Sequence, residues 1–267
     1  MESPVITISW NQCPEIYHAA AAISTTVKNS GPIDRPLHEE LCLRLFIFFF
    51  CHHDIVRLDF FIAILIDAKL LVHFLFRSAE LDADHCTDRD HDTGNCLNHI
   101  PVHKDDLFYV EAGTVHAIGA GVLLAEIQEN SNITYRLYDY DRVDRDGKKR
   151  ELHVEKALRA ARLSSSNAPR QPLRTLRYRK GCASELLCRC KYFQVERLLL
   201  NTELHRALTD YRTGANSFHA LLCTDGCGVL FGEGFMLNFF KGDCMFVPAE
   251  SIPLKLHGRA QLLDVSC

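Results

Sequence analysis

The sequence predicts a mainly β protein made of two β units in series with a few helices. Three observations carry that expectation. From residue 99 onward, short apolar segments alternate with turn signals, the rhythm of antiparallel strands. KDDLFYVEAGTVH at 104–116 recurs as KGDCMFVPAESIP at 241–253, with Lys, Asp, Val and Ala at matching places, so one unit is present twice. A chain of 267 residues, 47% hydrophobic, has material for one large all-β domain or two smaller ones.

The elements follow in chain order. MESPVITISWNQ has neither the basic residues nor the apolar core of a signal peptide, which predicts a cytoplasmic protein. LFIFFFC at 45–51 and FFIAILI at 60–66 are parted by the charged HHDIVRLD and are too short to span a bilayer. They read as buried strands or a core helix. Strands are expected in HIPVHKDDLFYVEAG, GVLLAEIQ and ITYRLYDYDR, followed by a turn at DRDGKK, 144–149. Leu152, Val154, Ala157, Leu158 and Ala161 fall near helical spacing and predict one helix over 150–163. SSSNAPRQP then opens a linker, assigned to 164–185. Strands resume at 191–200, 217–231, 235–250 and 260–265. The N-terminal unit is thus 1–163 and the C-terminal unit 186–267.

Thirty Lys and Arg stand against 34 Asp and Glu, a formal charge of −4, with no long block of one sign. That pattern gives no electrostatic grip on nucleic acid or a lipid surface and leaves a small solute as the expected partner. The twelve cysteines lack the paired spacing of a structural zinc site and read as reduced, buried, small hydrophobes. The tightest group, CASELLCRC at 182–190, has the donors to bind a metal, with strand and loop cysteines as the other reading.

One histidine stands out. His116 sits in AGTVHAIGAG, where Gly113 permits a turn and small neighbours leave room for an imidazole pointing inward from the lip of a small barrel. In the repeat its place is taken by Pro253, so only the first copy offers a metal ligand there. Further on, Glu126, Gln128, Tyr135 and Arg136 interrupt apolar sequence at polar positions that one barrel face can gather. A guanidinium there suits a phosphate or a developing enediolate; a merely solvated strand face is the alternative.

These residues carry a resemblance. FYVEAGTVHAIGAGVLLAEIQENSNITYRLYDYDRVDRDGKKRELHVEKAL, 108–158, resembles the bacterial class I mannose-6-phosphate isomerases, zinc-dependent enzymes of the cupin superfamily. The segment from about 191 is similar to that family's second, metal-free cupin, and the likeness runs from 97 to 267. It implies two cupin-type (jelly-roll) β barrels in series, the first holding Zn2+. It also implies interconversion of mannose 6-phosphate and fructose 6-phosphate, a small-molecule sugar phosphate. The family's last zinc-binding histidine falls on His116, its active-site arginine on Arg136 and its strand glutamate on Glu126.

The sequence also departs from the family. Its upstream Q-V-H-P-D-D strand and K-T-E turn, which supply the other zinc ligands, have no legible counterpart in the atypical residues 1–96. ILIDAK at 64–69 resembles the lead-in to that strand, and LLVH at 70–73 then offers His73 as a ligand. His85, Cys86 and His91 lie in a stretch that reads as a solvated acidic loop but holds substitute donors. Three readings stand side by side: a zinc-dependent isomerase, a catalytically defective homologue with an incomplete metal site, and a cupin with another metal-dependent activity that uses His85 or His91 as ligands.

Overall fold

The computed structural model describes residues 98–118, 122–129, 133–137, 139, 143–162 and 175–267, together with four earlier strands at the level of the backbone. Those four are β1 (Ile6–Ile8), β2 (Leu43–Phe49), β3 (Phe61–Ala68) and β4 (His73–Phe76). The expectation for 78–96 lies outside the described residues. The chain divides into two units, one of Ile16–Gln171 and one of Pro172–Cys267 together with Met1–Glu15.

In the first unit, β5 (Asn98–Pro101), β6 (Leu107–Val110), β7 (His116–Ile118) and β8 (Val122–Glu129) precede the helix α1 (Val154–Ala160). One sheet has the order β2-β8-β3-β6 and another the order β5-β4-β7. The two apolar runs at 45–51 and 60–66 therefore resolve as strands. Leu124, Ala125 and Ile127 of β8 are fully buried, which explains a run too continuously apolar for a strand wetted on one face. The expected helix forms over a shorter span than 150–163. The expected strand ITYRLYDYDR does not form within its described part, 133–137 and 139. There His153 N donates to Arg136 O at 2.7 Å and Arg136 N to His153 Nδ1 at 3.3 Å, so single bonds satisfy this backbone in place of a ladder.

The second unit contains β9 (Arg177–Arg179), β10 (Cys182–Arg189), β11 (Gln194–Asn201), the short helix α2 (Thr202–His205), β12 (Thr209–Tyr211), β13 (His219–Gly232), β14 (Phe235–Phe240), β15 (Cys244–Val247) and β16 (Leu254–Ser266). The segment expected as linker, 164–185, thus carries β9 and the start of β10. Its sheet runs β1-β15-β13-β16-β11-β10-β9, with β12 on β16 and β14 on β13. The N-terminal strand Ile6–Ile8 accordingly pairs with β15 of this unit. Leu198, Leu221, Leu230, Phe239, Met245, Leu256 and Leu262 fill its core.

The repeat seen in the sequence is also a repeat of strand pairing. The order β2-β8-β3-β6 matches β11-β16-β13-β15. Ala63 stands opposite both Phe108 and Glu126, and Leu221 opposite both Met245 and Asp264. Because Phe108 and Met245 are equivalent in the sequence repeat, the register makes Asp264 the counterpart of Glu126. Phe46, across from Glu126, likewise matches Glu196, across from Asp264. The turns repeat too: Asp106 Oδ2 accepts from His103 N at 2.8 Å, and Asp243 Oδ2 from Phe240 N at 2.8 Å. Both copies take a positive φ at the two turn positions, Asp105 (71°) with Gly242 (97°) and Gly113 (87°) with Glu250 (54°). No helix among the described residues is long and apolar enough to cross a membrane.

Candidate active site

His116 opens β7 and is fully buried. Val115 and Ala117, its two neighbours, pack with Ala157 of α1 and with Tyr135 and Leu137. Strand alternation therefore turns the imidazole away from the helix. Its Nδ1 lies 2.9 Å from the carbonyl oxygen of Thr114. A carbonyl can only accept, so Nδ1 carries a proton, and in the neutral ring the lone pair is then on Nε2, the tautomer of a histidine that ligates metal through Nε2.

The preceding turn is held from the helix side. Thr114 N donates to Glu111 O at 3.0 Å, and Arg162 N, just beyond α1, donates to Gly113 O at 2.8 Å. Arg162 and Glu111 also form an ion pair. A Cβ on Gly113 would stand 2.7 Å from the Ala160 carbonyl oxygen, so glycine here answers both the positive φ and the close approach of the helix end.

Glu126 lies in the middle of β8 and is 1% exposed. On its face of the strand the fully buried Leu124 precedes it and the half-buried Gln128 follows. Arg136 is half-buried; its Nη1 donates to Glu151 O at 2.9 Å and its Nε is 3.9 Å from Asp139 Oδ1. Asp139, itself buried, accepts from Arg150 Nε at 2.7 Å and pairs with the Nη2 of the same guanidinium. Asp139, Arg150 and the Glu151 carbonyl, which hold Arg136, are not singled out by the sequence. The one hint there is the acid three residues beyond Arg136 in RLYD.

All four expected site residues belong to the unit Ile16–Gln171. His116 and His73 lie in the β5-β4-β7 sheet and Glu126 in the other. Tyr135 and Leu137, on either side of Arg136, pack in the cluster that flanks His116, so one helix supports both. In the register of β4, Phe76 stands opposite His116 and His73 opposite Pro101. Three residues along a strand separate His73 from the facing position, roughly 10 Å.

No group of three or more His, Cys, Asp or Glu suited to a metal occurs among the described residues, the CASELLCRC segment included. Its cysteines are free thiols, and burial pushes Cys188 up to about 12. Cys223 rises to about 12 for the same reason, whereas Cys227 and Cys267 are exposed, against the expectation of burial.

No family model matches the chain. Among curated proteins, it is 35% identical over 167 residues to the mannose-6-phosphate isomerase ManA of Bacillus subtilis, covering 62% of this chain and 50% of that one. It is 49% identical over 67 residues to the mannose-6-phosphate isomerase of Streptococcus mutans, 25% of this chain and 21% of the relative. The chain thus spans about half the length, or less, of the curated relatives it matches. Among solved structures, the mannose 6-phosphate isomerase from Bacillus subtilis superposes with a TM-score of 0.74 at 26% identity, over 85% of this chain and 76% of that one. The Salmonella typhimurium enzyme bound to its substrate, fructose 6-phosphate, and to zinc gives a TM-score of 0.60 at 11% identity, over 85% and 79%, a likeness of fold alone.

Proposed function

We propose that this relative of the class I mannose-6-phosphate isomerases interconverts mannose 6-phosphate and fructose 6-phosphate with zinc in its N-terminal copy. The observation that carries the reading is His116: fully buried, with Nδ1 committed to Thr114 O so that Nε2 bears the lone pair, and set in the copy whose counterpart has Pro253. In this reading both copies are cupin-type barrels, the second metal-free, and the protein works in the cytoplasm on a sugar phosphate. The curated relatives named mannose-6-phosphate isomerase support the substrate, and the Salmonella typhimurium structure of the same fold holds fructose 6-phosphate with zinc.

His116 would hold the metal; His73, the other expected ligand, stands three residues from the position facing His116, an odd offset that strand alternation assigns to the other face of the sheet. A catalytic zinc takes three protein ligands and an open position, so further donors must join His116. Bound zinc supplies a Lewis acid for the oxygens at C1 and C2. Glu126 is the proposed acid–base group: buried on a strand, its carboxylate is held where water competes poorly for the proton moved between those carbons. Arg136, held at its backbone by His153 and at its guanidinium by Glu151 O, would neutralise an enediolate or the phosphate.

The test is metal analysis of the purified chain together with an isomerase assay before and after chelation. One zinc per chain, chelator-sensitive turnover, and loss of both in His116→Ala are expected. Protein that binds no zinc and turns over neither sugar phosphate would overturn the reading and leave a homologue that keeps the fold alone.

A further inference from the structure

At one end of the C-terminal sheet the strands run β12-β16-β13-β14, and both outer members, β12 and β14, lack a neighbour on one side among the described residues. A further edge is β9. An open strand edge invites pairing with another chain unless its residues discourage it. Two of these edges are guarded. On β9, Arg177 and Arg179 are exposed and Lys180 follows them, so a second copy laid there would meet like charge. On β12, only three residues long, the exposed Asp210 is paired with Lys255 at 3.7 Å. By contrast β14 is six residues long without a charged side chain, and on its outer face Met236 is 64% exposed and Phe240 57%.

The register of the β13–β14 hairpin fixes which backbone groups face outward. Gly232 stands opposite Phe235 across a two-residue turn, so this pair and every second pair after it exchange the ladder hydrogen bonds. Those pairs use Phe235, Leu237 and Phe239, whose side chains also pack on the core. Met236, Asn238 and Phe240 therefore direct N–H and C=O away from β13. Phe240 uses both in the next turn: its N donates to Asp243 Oδ2 at 2.8 Å, and its O accepts from Asp243 N at 2.9 Å. Met236 and Asn238 keep theirs for the edge.

We propose that β14 joins β14 of a second copy of this chain, antiparallel across a two-fold axis at Leu237, giving a reversible homodimer with one sheet continuous through both subunits. In that register Met236 of each copy faces Asn238 of the other, and the outward N–H and C=O of both residues pair. Leu237 meets its own symmetry mate, and Met236 lies diagonal to Phe240 of the other copy, a sulfur–aromatic neighbour. Charge agrees: Glu233, in the turn before β14, is brought toward Lys241, just after β14, of the other copy, and the pair recurs by symmetry. A join centred on Asn238 would instead call on the Phe240 groups that Asp243 already holds, and one centred on Met236 would part the charges. A strand join of this length lies at the small end of interfaces, so a Kd on the order of 10 μM is expected. None of this depends on the metal-site reading.

Sedimentation equilibrium of the full chain, at concentrations on either side of that value, tests the dimer. A monomer–dimer equilibrium is expected, and amide exchange at Met236 and Asn238 should slow as the dimer fills. Asn238→Pro removes an outward N–H that the hairpin does not use, so it should raise the Kd about tenfold or more with little change in melting temperature. Lys241→Glu turns carboxylates toward each other and should raise the Kd about fivefold, and adding Glu233→Lys should restore it. Should Asn238→Pro not fold, the charge exchange gives the reading on its own. A chain that stays monomeric throughout overturns the proposal and leaves the edge to a different partner. A dimer indifferent to both Asn238→Pro and the charge exchange overturns it too, because that dimer forms through another surface.

Discussion

The two copies share a scaffold and differ at the positions that carry chemistry. Ala63 and Leu221 each stand between equivalent pairs of strands, and the turns that end at Asp106 and Asp243 are matched by a hydrogen bond of 2.8 Å in each. Yet His116 corresponds to Pro253, and the following turns are fastened differently. In the first copy the end of α1 grips Gly113 and Glu111. In the second, Thr213 Oγ1 donates to Pro248 O at 2.6 Å and accepts from Ser251 N at 2.9 Å. A repeated turn thus comes from the fold, while what the turn presents is specific to each copy. The helix that clamps the first turn also supports the segment bearing Arg136, so turn and arginine are placed by one element.

The largest effect that would sharpen this contrast lies at Arg136. Arg136→Lys keeps the charge but loses the planar fork directed at Glu151 O and Asp139, and kcat is expected to fall about a hundredfold with little change in melting temperature. A lysine variant that stays close to the parent in turnover would mean that the arginine acts only as a distant charge.

Gly113→Ala comes next. The φ of 87° is poor for an L residue, and the new Cβ would lie 2.7 Å from a helix carbonyl, so a loss of about 2 kcal/mol is expected in urea unfolding. Turnover should drop as well, because the turn sets His116. An alanine variant of parental stability would show that α1 does not clamp the turn.

Much of this is legible in the sequence, for physical reasons that also mark where legibility stops. The recurrence of KDDLFYVEAGTVH exposes the repeat because turn geometry constrains residue type wherever a carboxylate caps a turn or φ is positive. Strands such as GVLLAEIQ are readable from apolar content. ITYRLYDYDR misleads because its β-prone residues meet no partner strand within the described part and instead bond singly to His153. The Asp139–Arg150 pair joins residues on two sides of a turn and leaves no local pattern. Equivalence of Glu126 and Asp264 requires pairing registers, since LLAEIQ and LLDVSC align in more than one way as strings.

The smallest effects test whether the copies are interchangeable at the backbone. Where the first copy has Gly113, the second holds Glu250 at a φ of 54°, and where the second has Gly242, the first holds Asp105 at 71°. Each non-glycine bears a left-handed conformation that its counterpart relieves with glycine. The Glu250 amide donates to Gly214 O at 2.9 Å, a bond that substitution leaves in place. Glu250→Gly should therefore stabilise the chain by about 1 kcal/mol, the relief of the left-handed strain less the added freedom of glycine when unfolded. Asp105→Gly should gain less, about half as much, because aspartate tolerates that conformation better than glutamate. Urea unfolding of the two variants reads the order directly. A fall in midpoint for Glu250→Gly would mean that the glutamate side chain contributes more than its backbone costs, and the equivalence of the two turns would then hold for geometry but not for energy.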